Sequence, residues 1–260
     1  MMISSPRAAR SSTTSGIEDL PQDGLARSAV LHLLPGIVVM SAYLALAPLV
    51  VRAGFPPALG LLLAFVLAGI PIELGFLLHL GRKRNGTYSL KGIVRYRQAM
   101  PAWQYLALFL LLFAVAFGAL FVLTPVTRYL ATHVFAWLPA FLLPDGAPPN
   151  TSFPRSAVLA TLIAGLVVDG FINPIVEELY FRGHLLPRLA RFGRLAPLIN
   201  ALLFSVQHYW QPYNYPLLFV LQLAVVYVVW WKRNIYIGML VHCAGNVIGA
   251  TLTLLGFLSG

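Results

Sequence analysis

Long apolar runs follow one another through most of the chain, and short polar or Pro/Gly-rich stretches separate them. A helix needs about 20 apolar residues to cross the hydrocarbon core of a bilayer. By that criterion the sequence predicts an all-α, polytopic transmembrane helical bundle with about seven spanning helices, in the range seven to eight. The predicted spans are 29–51, 58–81, 103–127, 157–189, 195–211, 216–231 and 235–256.

The span 157–189 is longer than a bilayer requires. As one helix it would measure ~50 Å, against a hydrocarbon core of about 30 Å. Gly170 and Pro174 would allow a kink, so the segment is either one long bent helix or two short ones. With one helix and a cytoplasmic N-terminus, most Lys and Arg residues fall in cytoplasmic loops. The positive-inside rule therefore favours one helix.

The composition supports a membrane protein and divides the chain into three parts. Hydrophobic residues make up 59% and charged residues 10%, whereas soluble domains carry about 25% charged residues. The net charge of +10 does not indicate nucleic acid, because the basic residues lie in loops between apolar runs. We expect a disordered cytoplasmic tail (1–28), N-terminal transmembrane helices with loops (29–154) and a C-terminal helical core (155–256).

Two adjacent glutamates interrupt an apolar helix in the third part. Glu178 and Arg182 have the i, i+4 spacing of a helical ion pair. Glu177 projects about 100° away from Glu178 and has no local partner. An unpaired carboxylate within a bilayer is expensive and usually marks a functional site. Glu177 is therefore the first candidate for a catalytic general base.

Two further helices each contribute polar residues at i, i+4 spacing. Phe204 and His208 share one helix face, and His242 and Asn246 share another. A membrane histidine or asparagine can serve packing alone, but three such groups in one half of the chain indicate a common site. Asp169, two turns before Glu177, is a candidate supporting residue.

Some ionisable residues stand apart from these groups. His32 and His184 have no companions in the sequence, and we expect no site at either. The single cysteine, Cys243, excludes an intrachain disulfide and a metal site built from cysteines.

At these residues the sequence resembles the CAAX prenyl endopeptidase and bacteriocin-processing (CPBP, or ABI) family of intramembrane proteases. The three motifs of that family read here as Glu177-Glu178-Leu-Tyr-Phe-Arg182, Phe204-Ser-Val-Gln-His208 and His242-Cys-Ala-Gly-Asn246. The resemblance covers about 155–256. It implies an intramembrane endopeptidase that hydrolyses a peptide bond of a membrane-associated or lipidated protein or peptide.

The resemblance also implies roles for the residues. Glu177 and His208 would activate a water molecule, while His242 and Asn246 would form the oxyanion hole. Glu178, Arg182 and Phe204 would support them. The alternative mechanism is that of a zinc metalloprotease with Glu177, His208 and His242 as ligands, which would leave one position open for water. The absence of a His-Glu-x-x-His motif favours the metal-independent glutamate mechanism, and zinc stays the alternative cofactor.

Two other functions remain open at this point. A membrane transporter with a proton relay would use the same polar residues, but it predicts inverted repeats that the sequence lacks. A non-catalytic membrane scaffold predicts degraded motifs, and these motifs are intact. We expect an integral protein of the bacterial plasma membrane that acts on a peptide or protein substrate and contacts membrane lipids. The sequence leaves the substrate and the oligomeric state open.

Overall fold

The computed structural model describes residues 20–144 and 150–259 as an all-helical bundle. The described residues contain no β-strand, which confirms the predicted all-α polytopic fold. Six of the described helices are long and apolar enough to span a membrane. They are α1 (Leu25–Arg52), α2 (Pro57–Asn85), α3 (Ala102–Val134), α4 (Arg155–Arg188), α6 (Pro212–Lys232) and α7 (Ile235–Ser259).

Helix α4 is one continuous helix, as the positive-inside rule favoured. Two π-helical turns, Val168–Ile172 and Glu178–Leu185, accommodate its length and its polar residues. The first ends just before Pro174, whose ring cannot donate the regular helical hydrogen bond. The helix passes Pro174 by a local change from α-helical to π-helical hydrogen bonding, so it is not broken into two separate segments.

The predicted span 195–211 is wrong in its length. Its helix, α5 (Ala196–Val206), has 11 residues and rises only ~16 Å. Gln207 and His208 follow it outside any helix, and α6 then returns beside α5. The apolar run suggested a span because it was long enough in sequence, but the polar residues at its end stop the helix inside the bundle.

The N-terminal boundary also differs from the prediction. Residues 1–19 of the predicted tail lie outside the described residues, and residues 25–28 belong to α1 rather than to a disordered tail. Asp23 is buried, and its backbone N–H donates to the carbonyl of Arg188 at 2.9 Å. The segment before α1 is thereby attached to the end of α4. The division between 29–154 and 155–256 stays a prediction.

The loop 86–101 connects several helices at their Arg-rich ends. The Arg95 N–H donates to the carbonyl of Gly183 in α4 at 2.7 Å. The Ile235 N–H, at the start of α7, donates to the carbonyl of Tyr96 at 2.7 Å. The loop thus fixes α4 and α7, which carry two of the three motifs, relative to each other.

Candidate functional site

His242 of α7 lies between the two adjacent glutamates of α4. Its Nδ1 donates to Glu178 Oε1 at 3.2 Å, and its Nε2 lies 3.7 Å from Glu177 Oε2. The two carboxylates thus lie at opposite nitrogens of the same ring. One imidazole therefore connects the first motif to the third.

Glu178 and Arg182 form an ion pair with no exposed surface, with 3.6 Å between Glu178 Oε1 and Arg182 Nη1. The guanidinium carbon of Arg182 lies 3.8 Å from the centre of the Phe204 ring, a cation–π contact. Arg182 Nη2 also donates to Gln222 Oε1 of α6. Arg182 and Phe204 thus form a buried layer behind the side chains of the other motif residues.

His208 follows α5 and is held in one orientation. Its Nδ1 donates to the carbonyl of Phe204 at 2.8 Å, which leaves Nε2 of the neutral ring as a hydrogen-bond acceptor. The ring packs on Phe204 and Trp210. Gly36 of α1 lies so close to the carbonyl of Gln207 that a Cβ would overlap it. The close approach of α1 thereby supports the turn that carries His208.

Asn246 lies one turn after His242 on α7. Its Nδ2 donates to the backbone carbonyl of Asp169 at 2.8 Å. A side-chain amide has two N–H donors and one acceptor oxygen, so one N–H and the oxygen remain for other partners. Asn246 consequently links α7 to the first π-helical turn of α4.

All four of the predicted catalytic residues line one cavity of about 880 Å³. Glu177, His208, His242 and Asn246 come from three different parts of the chain, and the structure brings them together. The supporting residues Glu178, Arg182 and Phe204 do not line it. Much of the remaining wall is aromatic, from Tyr43, Phe65, Phe113, Phe117, Phe141, Trp210 and Tyr213.

The alternative ligand set does not converge on a metal position. Among residues 20–144 and 150–259, no three His, Cys, Asp or Glu side chains are grouped so that they could hold a metal ion. The hydrogen bond from His242 Nδ1 to Glu178 leaves Nε2 available as a ligand. The misfit to a catalytic zinc site therefore lies in how Glu177, His208 and His242 are placed relative to one another.

Sequence reasoning missed two residues and misjudged a third. Gln222 is a polar residue in the apolar run of α6. Because burying such a residue in a membrane helix is costly, its position in the sequence could have indicated a role in the site. Asn200 donates to His32 Nε2 at 2.9 Å and to the carbonyl of Phe181 at 3.0 Å. The expectation that His32 lacks companions is therefore wrong. This pairing joins positions far apart in the chain, which spacing along a helix does not reveal.

One family model matches the part of the chain that carries the three motifs. Residues 159–248 match the family model described as type II CAAX prenyl endopeptidase Rce1-like. This part of the chain is similar to the Rce1-like family. All three motifs lie within the matched residues, while α1, α2 and α3 precede them. The family is one of proteases, so the match supports protease activity. No curated protein and no solved structure matches the chain.

Proposed function

We propose that the protein is an intramembrane endopeptidase that cleaves a membrane-associated or lipidated peptide or protein. The observation that carries this proposal is the convergence of Glu177, His208, His242 and Asn246 on one cavity among membrane-spanning helices. Glu177 is an acid–base group, and His208 Nε2 has no hydrogen-bond partner within residues 20–144 and 150–259, so it can accept from a water molecule. Together they match the needs of water activation.

In the proposed reaction, Glu177 takes a proton from a water molecule that also donates a hydrogen bond to His208 Nε2. The water oxygen forms a bond to the carbonyl carbon, and the negative charge develops on the carbonyl oxygen. When the C–N bond breaks, Glu177 returns the proton to the leaving nitrogen. Each step uses groups within the cavity, and the reaction needs no reactant besides water and the peptide.

The oxyanion role of His242 requires a particular protonation state. Its Nδ1 donates to Glu178, so Nε2 can donate to an oxyanion only when both ring nitrogens carry protons. The carboxylates of Glu177 and Glu178 then lie on either side of the imidazolium, and Glu178 is also paired with Arg182. The remaining N–H of Asn246 would be the second donor. Removing one such donor typically lowers the rate by ~10²–10³-fold.

We also infer the orientation of the protein from the basic loops. The loop 86–101, with Lys91, Arg95 and Arg97, lies at the same end as the α4 terminus and as Arg233 before α7. Cytoplasmic loops carry an excess of Lys and Arg. This end would therefore face the cytoplasm, together with the N-terminus, in the plasma membrane of a bacterium.

The test compares the wild type with Glu177→Gln and His208→Gln, purified in detergent and incubated with a library of lipopeptides. Mass spectrometry of the products should show cleavage by the wild type and a loss of at least ~10²-fold in both variants. His79→Gln serves as the matched control, because His79 is exposed on α2 and does not line the cavity. Undiminished cleavage by Glu177→Gln would refute the proposed mechanism.

Treatment with a zinc chelator distinguishes the metal-independent glutamate mechanism from the zinc mechanism. If Glu177 and His208 act without a metal, cleavage should persist when the wild type is treated with a zinc chelator. Loss of cleavage on chelation, followed by its return when zinc is added, would instead assign Glu177, His208 and His242 as ligands.

A further inference from the structure

The cavity contains a second carboxylate besides Glu177. Besides Leu162, helix α4 lines it with residues at four-residue intervals, namely Thr161, Gly165, Asp169, Asn173 and Glu177. An α-helix has 3.6 residues per turn, so positions four apart drift around its axis. The π-helical turn Val168–Ile172, with its wider i→i+5 rings, offsets that drift. Asp169 and Glu177 therefore line the same cavity.

The carboxylate of Asp169 has no partner among residues 20–144 and 150–259. No ion pair and no side-chain hydrogen bond involves it, whereas its backbone carbonyl accepts from Asn246. Glu178, on the same helix, is instead paired with Arg182 and His242. An ionisable side chain inside a membrane protein usually pairs with a group or marks a substrate path.

The charges around the cavity restrict what Asp169 could bind. Among the described residues, no lysine or arginine lines the cavity, and Arg182 lies behind it against Glu178 and Phe204. The imidazolium proposed at His242 also lines the cavity, but Glu177 and Glu178 lie on either side of it. A substrate carboxylate near Asp169 would meet a like charge, while an ammonium or guanidinium group would find a partner. The remaining wall is largely apolar, which suits the rest of a membrane peptide.

We propose that Asp169 is a specificity residue that binds a lysine or arginine side chain of the peptide substrate. This inference rests on the proposed function, since it assumes that a peptide occupies the cavity. Asp169 lies eight residues before Glu177 on α4, or ~12 Å along the helix. An extended peptide covers that length in about three or four residues. The cation would therefore lie three or four residues from the scissile bond, on one side of it.

The first experiment measures binding, so that it does not depend on cleavage. Fluorescent apolar peptides carry lysine, norleucine or glutamate at the third, fourth or fifth position on either side of a fixed central bond. Their affinities for the Glu177→Gln protein in detergent are measured by fluorescence anisotropy. Lysine at the third or fourth position of one side should bind roughly tenfold or more tightly than norleucine, as for a hydrogen bond to a charged group. Glutamate should bind least.

Variants of α4 then assign the preference to Asp169. In the Glu177→Gln background, Asp169→Asn should bring the lysine-to-norleucine affinity ratio close to one, and Asp169→Glu should restore a preference for lysine. Thr161→Val is the matched control, because Thr161 lines the cavity two turns earlier and already donates to the carbonyl of Ala157. Thr161→Val should keep the lysine-to-norleucine affinity ratio of the Glu177→Gln protein.

Two outcomes would overturn the inference. These are equal affinities for lysine and norleucine peptides, and a lysine preference that survives Asp169→Asn. Failure of the proposed function would look different. The lysine peptide would bind through Asp169, but protein with an intact Glu177 would leave it uncut.

Discussion

Helices α3 and α4 have nearly the same length, 33 and 34 residues, but they meet different requirements. Between Ala102 and Tyr129, Leu112 and Ala119 are the buried residues of α3. Helix α4 instead buries Glu177, Glu178 and Arg182 within the bundle. A lipid-facing helix needs apolar character at most positions, whereas α4 must place particular groups in particular directions. The second π-helical turn of α4, Glu178–Leu185, contains Glu178 and Arg182, and Glu177 immediately precedes it. Helix α3 also has a π-helical turn, Leu130–Val134, but that turn lies at its end and holds no buried charged residue.

The largest loss of stability is expected from breaking the buried ion pair between Glu178 and Arg182 in α4. Arg182→Met would leave the Glu178 carboxylate buried without its guanidinium, at a cost of ~3–5 kcal/mol. Thermal unfolding in detergent would show this as a strongly lowered Tm. Arg128→Met is the control on α3, where the arginine is exposed and the expected change is within about 0.5 kcal/mol.

A double variant tests the reason for that loss. Glu178→Gln together with Arg182→Met removes the uncompensated charge but retains an acceptor for His242 Nδ1. The double variant should therefore be more stable than Arg182→Met alone. If it is less stable, the cost of Arg182→Met arises from lost packing on Phe204 rather than from the buried carboxylate.

Helix α7 also has a buried part and an exposed part, because it lies against the site at one end only. A Cβ on Gly238 would lie 2.5 Å from Glu178 Oε2 and 3.0 Å from Val229 Cγ2, whereas one on Gly256 would have no neighbour within 4 Å. Gly238→Ala should destabilise by ~1–3 kcal/mol and lower cleavage, because Glu178 must shift away from His242. Gly256→Ala should be neutral or stabilising by up to ~1 kcal/mol. Equal Tm values for the two variants would show that the contact at Gly238 relaxes freely.

The candidate site residues stand out in the sequence itself. Glu177, His208 and His242 stand out because an ionisable group among apolar residues carries a large desolvation cost. The i, i+4 spacing of Glu178 and Arg182 indicated their ion pair without any structure. Their convergence on one cavity could be inferred, since separate helices offered polar groups that lacked local partners.

Other features depend on contacts that no local pattern encodes. The length of α5 could not be read from its apolar run, because Gln207 and His208 end the helix within the bundle. The partnership of His32 and Asn200 joins α1 to α5 across 168 positions of the chain. Such pairs depend on how helices pack, which the hydrophobic pattern of each helix leaves undetermined.

Breaking the contact between His32 and Asn200 should lower the stability by an intermediate amount. Asn200 donates to the carbonyl of Phe181, inside the second π-helical turn of α4, and to His32. Asn200→Leu should cost about 1 kcal/mol for each lost hydrogen bond. In a double-mutant cycle with His32→Leu, the double variant should lose less than the sum of the single losses, by ~0.5–3 kcal/mol. Strict additivity would show that the two side chains do not interact energetically.

The smallest loss of stability should come from a substitution on the lipid-facing side of α3. This substitution tests the difference between the lipid-facing α3 and the buried α4 most directly. Phe121 is 86% exposed, whereas Phe181 of α4 is fully buried against Phe204. Phe121→Leu should change the unfolding free energy by less than about 0.5 kcal/mol, because lipid chains can fill the vacated space. Phe181→Leu should cost more, since fixed neighbours surround it. Equal losses in Tm would mean that Phe121 packs against protein in the membrane. The exposed face of α3 would then be an interface with a second copy of the chain rather than a lipid contact.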